Sequence, residues 1–291
     1  MALFRSIWDD MRHTFRIGNM TTRLFFFNFG VFVLVKLIYL ALVLSQSQTD
    51  AALNLASGLT WFFLPASPGI LFFQPWSLIS HMFLHENFLH ILGNLLFLYL
   101  FGGIVGDLIG DKRVLPVYLL GGLFGGIMFM ASAQVLWYVG SYALGASGAV
   151  MALGGAALVS SPDYRVRLFL VGELKVKYIV LVLLLVDLLG IADKYNSGGH
   201  IAHLGGFAMG CLVVYRLRDG HDWTEPINRA LDRLGRLLRP GADFQPTTKM
   251  RKTYSGGFSA VRGGKAPSDD TDQAYQERLN AIRDKIKESG F

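Results

Sequence analysis

Long apolar segments separated by short polar connections are the main pattern along the chain. Six of these segments lie at about 24–44, 88–106, 114–135, 147–160, 176–192 and 199–217. A helix of about 20 apolar residues matches the hydrocarbon thickness of a bilayer. The pattern therefore predicts an all-α protein, a polytopic membrane helical bundle of six transmembrane helices. The segment that begins at Ser147 is short for a span, so we expect it to be recessed below the membrane surface.

The connection from residue 45 to about 86 is too apolar for a loop in water. It contains several aromatic side chains and is interrupted by prolines: Trp61, Phe62, Phe63, Phe72, Phe73 and Trp76, with Pro65, Pro68 and Pro75. Aromatic residues, and Trp above all, favour the interface between hydrocarbon and water. We therefore predict that this connection lies in the interface or re-enters the membrane.

Charge placement supports six spans and gives their orientation. Basic residues precede the first segment and occupy alternate connections: Arg5, Arg12, Arg16, Arg23, Lys112, Arg113, Arg165, Arg167, Lys175 and Lys177. The other connections carry almost none. By the positive-inside rule both termini are cytoplasmic. The compact plan and the lack of a recognisable targeting signal favour an integral protein of the bacterial inner membrane, with an organelle membrane as the alternative.

Composition divides the chain into three parts. Only 16% of the residues are charged and 52% are hydrophobic, which predicts a six-span membrane domain over 24–217, preceded by a cytoplasmic segment over 1–23. Residues 218–291 are expected to form a basic cytoplasmic tail, with a disordered linker at 240–270. Two short helices are predicted in this tail, at 224–238, capped by Thr224, and at 271–288. The first is amphipathic and basic, so membrane lipid is its expected partner.

Polar groups inside a span are costly and are therefore functional candidates. Gly145-Ala146-Ser147-Gly148 opens the fourth segment. Unpaired backbone N–H groups at a helix start can stabilise an oxyanion beside the Ser147 hydroxyl. The simpler interpretation of the motif alone is a serine that caps a helix.

A histidine at the start of the sixth segment is the candidate base for that serine. His203 precedes Gly206 and Gly210, which permit close helix contact, and the fourth segment has a matching small face. Imidazole is the usual base for an activated serine. His200 is the competing candidate, and interfacial solvation of His203 is the simpler alternative.

A third polar group leads into the second segment: His81, His85, His90 and Asn94. His90 and Asn94 share a helix face and could donate hydrogen bonds to an oxyanion. Interhelical hydrogen bonds are the structural alternative, and a zinc site formed by the three histidines is a further one.

Together, His85, His90-x-x-x-Asn94, Gly145-Ala-Ser147-Gly148 and Ala202-His203-Leu-Gly-Gly206 resemble the rhomboid family of intramembrane serine proteases over about 70–215. The resemblance implies a catalytic dyad of Ser147 and His203 without an acidic third member. It implies an oxyanion hole formed by His90, Asn94 and the Ser147 N–H, and a supporting role for His85. Transmembrane proteins would be the substrates. No cofactor, metal or nucleic acid is expected, and the sequence does not give the oligomeric state.

Three residues complicate this resemblance. Many family members have an aromatic residue that stacks on the imidazole where this chain has Met151. Asp187 is interpreted as a polar contact facing the bundle, and Asp193 as solvated. A proteolytically silent, client-binding relative and a small channel or transporter are the rival functions.

Overall fold

A computed structural model describes residues 14–15, 18–136, 139–168, 172–192, 194 and 196–238. Four of the predictions concern residues outside this part: most of the 1–23 segment, Asp193, the 240–270 linker and the 271–288 helix.

Each of the six apolar segments is a helix, within a few residues of its predicted bounds. These helices are α1 (Met20–Ser45), α5 (Phe88–Val105), α6 (Val114–Val135), α7 (Ser147–Ser160), α8 (Val176–Ala192) and α9 (Ser197–Arg218). The shorter helices are α2 (Gln48–Leu59), α3 (Pro68–Phe73), α4 (Ser77–Ser80) and α10 (Glu225–Leu238). The predicted all-α membrane bundle is confirmed.

Within the described residues, three helical stretches are long and apolar enough to cross a membrane. They are Met20–Ser45, Phe88–Val135 and Ser197–Arg218, and the second contains both α5 and α6. Helix α7 is a shorter apolar helix. The number of six spans stays a prediction.

The connection before α5 is structured and exposes large aromatic side chains. It contains α2, α3, α4, the 3-10 turns Thr60–Phe62 and His81–Phe83, and strand β1 (Leu64–Pro65). Phe72 and Phe73 are 80% and 73% exposed. Such exposure matches a segment that contacts lipid or the interface.

Two short antiparallel ribbons complete the fold. Strand β1 pairs with β2 (Tyr142–Ala143), so that Leu64 lies opposite Ala143. Strands β3 (Arg165–Leu168) and β4 (Gly172–Lys175) form a hairpin between α7 and α8. The first ribbon matters for function, because β2 leads directly into Ser147.

Helix α7 lies at the centre of the bundle, where every residue from 148 to 157 is buried. It packs against α5, α6, α8 and α9. Glycine and alanine make up most of this stretch, so neighbouring helices can approach its backbone.

Polar contacts connect the ends of α6, α9 and α10 on the side of the bundle away from Ser147. Arg113, just before α6, forms an ion pair with Asp222 after α9 (Nη2–Oδ2 2.8 Å). Partial burial alone would raise the pKa of Asp222, but hydrogen bonds from Thr224 and Arg113 hold it below its usual value. Thr224 lies directly before α10, and its hydroxyl donates to Asp222 Oδ1 (2.5 Å).

Candidate active site

Ser147 is the first residue of α7, and the turn before it is held from two sides. The β1–β2 pairing fixes residues 142–143, and the Gly145 N–H donates to the His81 carbonyl (2.9 Å). Gly145 has φ +126°, a conformation that favours glycine. The turn therefore presents Ser147, which is half-buried, in a defined position.

A cavity of about 30 Å³ lies beside Ser147. Its lining includes Gly145, Ser147, Gly148, Gly199 and Ala202. A space of this size can hold a water molecule. The cavity thus lies between the start of α7 and the first turns of α9.

Small residues bring α7 and α9 into backbone contact, as the sequence predicted. A side chain at Gly206 would overlap the Gly148 carbonyl oxygen, and one at Gly210 would overlap that of Ala152. Gly148 follows Ser147, and His203 lies one helical turn before Gly206. The described hydrogen bonds do not include one between Ser147 Oγ and His203, and such bonds often form only when substrate binds.

His203 is hydrogen-bonded to an acid that the sequence did not assign to it. Its Nδ1 lies 2.7 Å from Oδ1 of Asp187 on α8. His200 Nδ1 lies 2.8 Å from the same oxygen. Asp187 faces the bundle as predicted and is only 4% exposed. The resemblance implied a dyad without an acidic third member, whereas in the structure the ring of His203 contacts a carboxylate.

The predicted oxyanion donors lie on α5, next to the Ser147 turn. A Cβ atom at Gly145 would lie 2.7 Å from His90 Nε2, so the imidazole touches this turn. Asn94 is buried, and its Nδ2 donates to the His90 carbonyl (2.9 Å). An amide nitrogen carries two N–H groups, so a second donor remains.

His85 supports this region from a buried position. Its ring packs edge-on against that of His90, with centroids 5.3 Å apart. Burial, with the nearby charge of His90 as a second cause, lowers the pKa of His85 to about 4. His85 is therefore neutral near pH 7.

In the described part of the chain, side chains of the types that can bind a metal converge at Asp187, His200 and His203. The zinc site weighed from sequence used His81, His85 and His90 instead. Asp187 was missed as a partner because it lies 16 residues from His203. A usable signal was the one carboxylate in a helix of mostly apolar residues, since such a group must find a partner in the bundle.

The chain is similar to proteins of one known family. The Rhomboid domain model matches residues 73–220, which is about half of the chain. RHOMBOID-like protein 6, mitochondrial, of Arabidopsis thaliana is 29% identical over 156 residues, covering 52% of this chain and 47% of the relative. RHOMBOID-like protein 4 of the same plant is 31% identical, covering 53% and 38%.

A bacterial protease is also similar. Rhomboid protease GlpG of Salmonella choleraesuis (strain SC-B67) is 29% identical over 125 residues, covering 43% of this chain and 40% of the relative. The chain spans less than half the length of each of these three relatives. The region that the Rhomboid domain model matches contains α5 to α9 and all the predicted site residues. The chain therefore belongs to the rhomboid family.

Proposed function

We propose that the chain is an intramembrane serine endopeptidase in which Ser147 is the nucleophile and His203 its base. Family membership supports protease-like function at the level of the family. The observation that carries the assignment to these residues is the glycine contact between α7 and α9. It brings the start of α7, with Ser147, against the first turns of α9, where Ala202, next to His203, lines the cavity beside Ser147.

In the proposed reaction His203 Nε2 takes the Ser147 proton as the hydroxyl oxygen attacks the peptide carbonyl. The protonated His203 then donates to the leaving amine, and a water activated by His203 releases the acyl group. The Ser147 N–H, His90 and Asn94 would stabilise the oxyanion. The position of His90 Nε2 beside Gly145 supports this role.

The proposed substrates are transmembrane segments of other proteins. A helix hides its carbonyls in internal hydrogen bonds, so it must unwind locally before cleavage. Substrates are therefore expected to carry Gly, Pro or other small residues near the scissile bond.

The protein is an integral membrane protein, and we infer its orientation from charge. Basic residues near the ends of α1, α6 and α8 support cytoplasmic termini, which would place Ser147 near the extracytoplasmic side. We propose that the protein lies in the bacterial inner membrane. Its relatives include an Arabidopsis protein named as mitochondrial and a protease of Salmonella.

Labelling of the purified protein with a fluorophosphonate tests this function without a known substrate. We expect the wild type to react, and Ser147→Ala and His203→Ala to lose labelling. Ser160→Ala, at the other end of α7, is the matched control and should label like the wild type. Circular dichroism would establish that each variant is folded.

Other outcomes would point elsewhere. Labelling that persists in Ser147→Ala would mean a different nucleophile. A folded wild type that never labels, even with a small probe, would favour a silent, client-binding protein. Ion or solute flux that survives Ser147→Ala would favour a channel or transporter.

A further inference from the structure

We propose that Asp187 is a positioning residue that holds His203 in the tautomer and orientation needed for a base. This inference rests on the proposed function only in taking His203 as the base. The geometry that supports it is the pair of short contacts from one carboxylate oxygen to His203 and His200.

The surroundings of Asp187 require it to have partners. Helix α8 exposes apolar side chains along most of its surface: Leu181, Val182, Leu185, Val186, Leu188 and Leu189 are each at least half exposed. Asp187, among them, points inward and is 4% exposed. An isolated buried carboxylate is costly, and hydrogen bonds from two imidazoles offset that cost.

The two contacts determine where the protons lie. Both Nδ1 atoms approach the same oxygen, Oδ1, and an O–H group could donate to only one of them. The arrangement therefore needs at least one imidazole donor, and an ionised carboxylate accepts from both. With Nδ1 of His203 protonated, its Nε2 keeps the lone pair that can take a proton from Ser147.

The carboxylate would also act later in the reaction. When His203 becomes an imidazolium, the adjacent negative charge stabilises it in a water-poor site. Among the described residues, the titratable groups facing His203 include His200 on α9 and His90 on α5. Neither carries negative charge, so Asp187 is the anion of the cluster.

The chain makes room for this cluster at Gly190, one helical turn after Asp187. Any side chain at Gly190 would overlap the His200 ring. His200 can thus lie against α8 and donate to Asp187. This hydrogen bond holds the carboxylate in place for His203. We therefore assign His200 to the support of Asp187.

Hydrogen bonding explains the distances better than a metal centre formed by the same three side chains. Ligand atoms of a tetrahedral zinc ion at about 2.0–2.1 Å lie about 3.3 Å from each other. The Nδ1–Oδ1 separations are 2.7 and 2.8 Å, which are typical of charge-assisted N–H···O bonds.

The test is the pH dependence of fluorophosphonate labelling in Asp187→Asn, which keeps the shape and removes the charge. We expect the second-order labelling rate at pH 7 to fall by at least about 10²-fold. The acid limb of the pH profile should move to lower pH, because the imidazolium has lost its anion. Asp219→Asn, exposed just after α9, is the matched control and should keep the wild-type rate and profile. Asp187→Glu should recover part of the rate.

A second measurement does not depend on activity or on the folding of Asp187→Asn. Nitrogen-15 NMR of histidine-labelled wild type, with His203→Gln to assign the signal, reports the tautomer of His203. A protonated Nδ1 and unprotonated Nε2 would support the proposal, even if the wild type proved proteolytically silent. The opposite tautomer, or Asp187→Asn with unchanged labelling and pH profile, would overturn it.

Discussion

A side chain at Gly206 would overlap the carbonyl oxygen of Gly148 where α9 crosses α7. This contact sets the distance between the helix turns that carry Ser147 and His203. We expect Gly206→Ala to push the helices apart and lower the fluorophosphonate labelling rate by at least tenfold. Overpacking of this kind also costs about 1–3 kcal/mol of stability, which a lower thermal unfolding temperature in detergent would report.

Gly30→Ala is the matched control for that variant, because open space surrounds Gly30 on α1. Alanine is the better helix former, so this variant should be at least as stable as the wild type. Wild-type labelling in Gly206→Ala would show that the α7–α9 contact does not set the geometry of the site.

The Ser147 turn should be equally sensitive at Gly145. Alanine there would be strained at φ +126° and would place its Cβ 2.7 Å from His90 Nε2. We expect Gly145→Ala to lose about 1–3 kcal/mol of stability and to label at least tenfold more slowly. The measurement is again the labelling rate, with thermal unfolding alongside it.

Gly172→Ala separates backbone strain from the effect on the site. Gly172 also has a positive φ (+82°), but nothing lies within 4 Å of the position its Cβ would take. This variant should lose stability and keep its labelling rate. If the two alanine variants label alike, the turn around Gly145 is not part of the active site.

The sequence was sufficient to locate the helices, because uninterrupted runs of Leu, Val and Phe have few alternatives to membrane helices. It was also sufficient for the α7–α9 contact, since Gly206 and Gly210 repeat at helical spacing. It could not give the partner of Asp187, because no local pattern specifies the rotation of α8 relative to the helices against which it packs.

The contact between Asp187 and His203 changes the interpretation of Met151. This chain lacks the aromatic residue that stacks on the imidazole in many family members, and that ring would have helped to orient His203. Asp187 offers an orienting contact of a different kind, through Nδ1 rather than through the ring face. The departure at Met151 is therefore compatible with an ordered base.

Two buried histidines make stability depend on pH. Burial lowers the pKa of His81 and of His85 to about 4, from the usual 6.5. The unfolded chain takes up protons below about pH 6.5, whereas the folded protein does so only near pH 4. Stability is thus complete above pH 6.5 and falls between pH 6.5 and 4, by up to about 3 kcal/mol for each histidine.

Thermal unfolding followed by tryptophan fluorescence at pH 7 and pH 5 would measure this loss. His81 Nδ1 lies 2.7 Å from the Ser77 carbonyl, and the amide of His81→Asn can replace that donor. The variant should therefore lose less stability than the wild type between these pH values. An equal loss in both proteins would show that His81 does not contribute to the pH dependence.

Helix α10 is predicted to lie on anionic lipid through its apolar side. Leu234 and Leu237 are 53% and 77% exposed, and arginines such as Arg236 lie on the other side of the helix. A polarity-sensitive fluorophore on Leu234→Cys, in a Cys211→Ala background, should shift to shorter wavelength in nanodiscs that contain phosphatidylglycerol rather than phosphatidylcholine alone. Burial of the leucines in the acyl boundary and attraction of the arginines to lipid phosphate are the physical reasons.

The same fluorophore on Arg236→Cys gives the control for that helix. Two residues along a helix amount to a rotation of about 200°, so this probe should stay in water and keep its emission in both lipids. The difference between the two positions tests orientation, and the difference between the two lipids tests charge. If Leu234 and Arg236 respond alike, α10 does not lie flat on the bilayer, and its apolar side must be covered by something other than lipid.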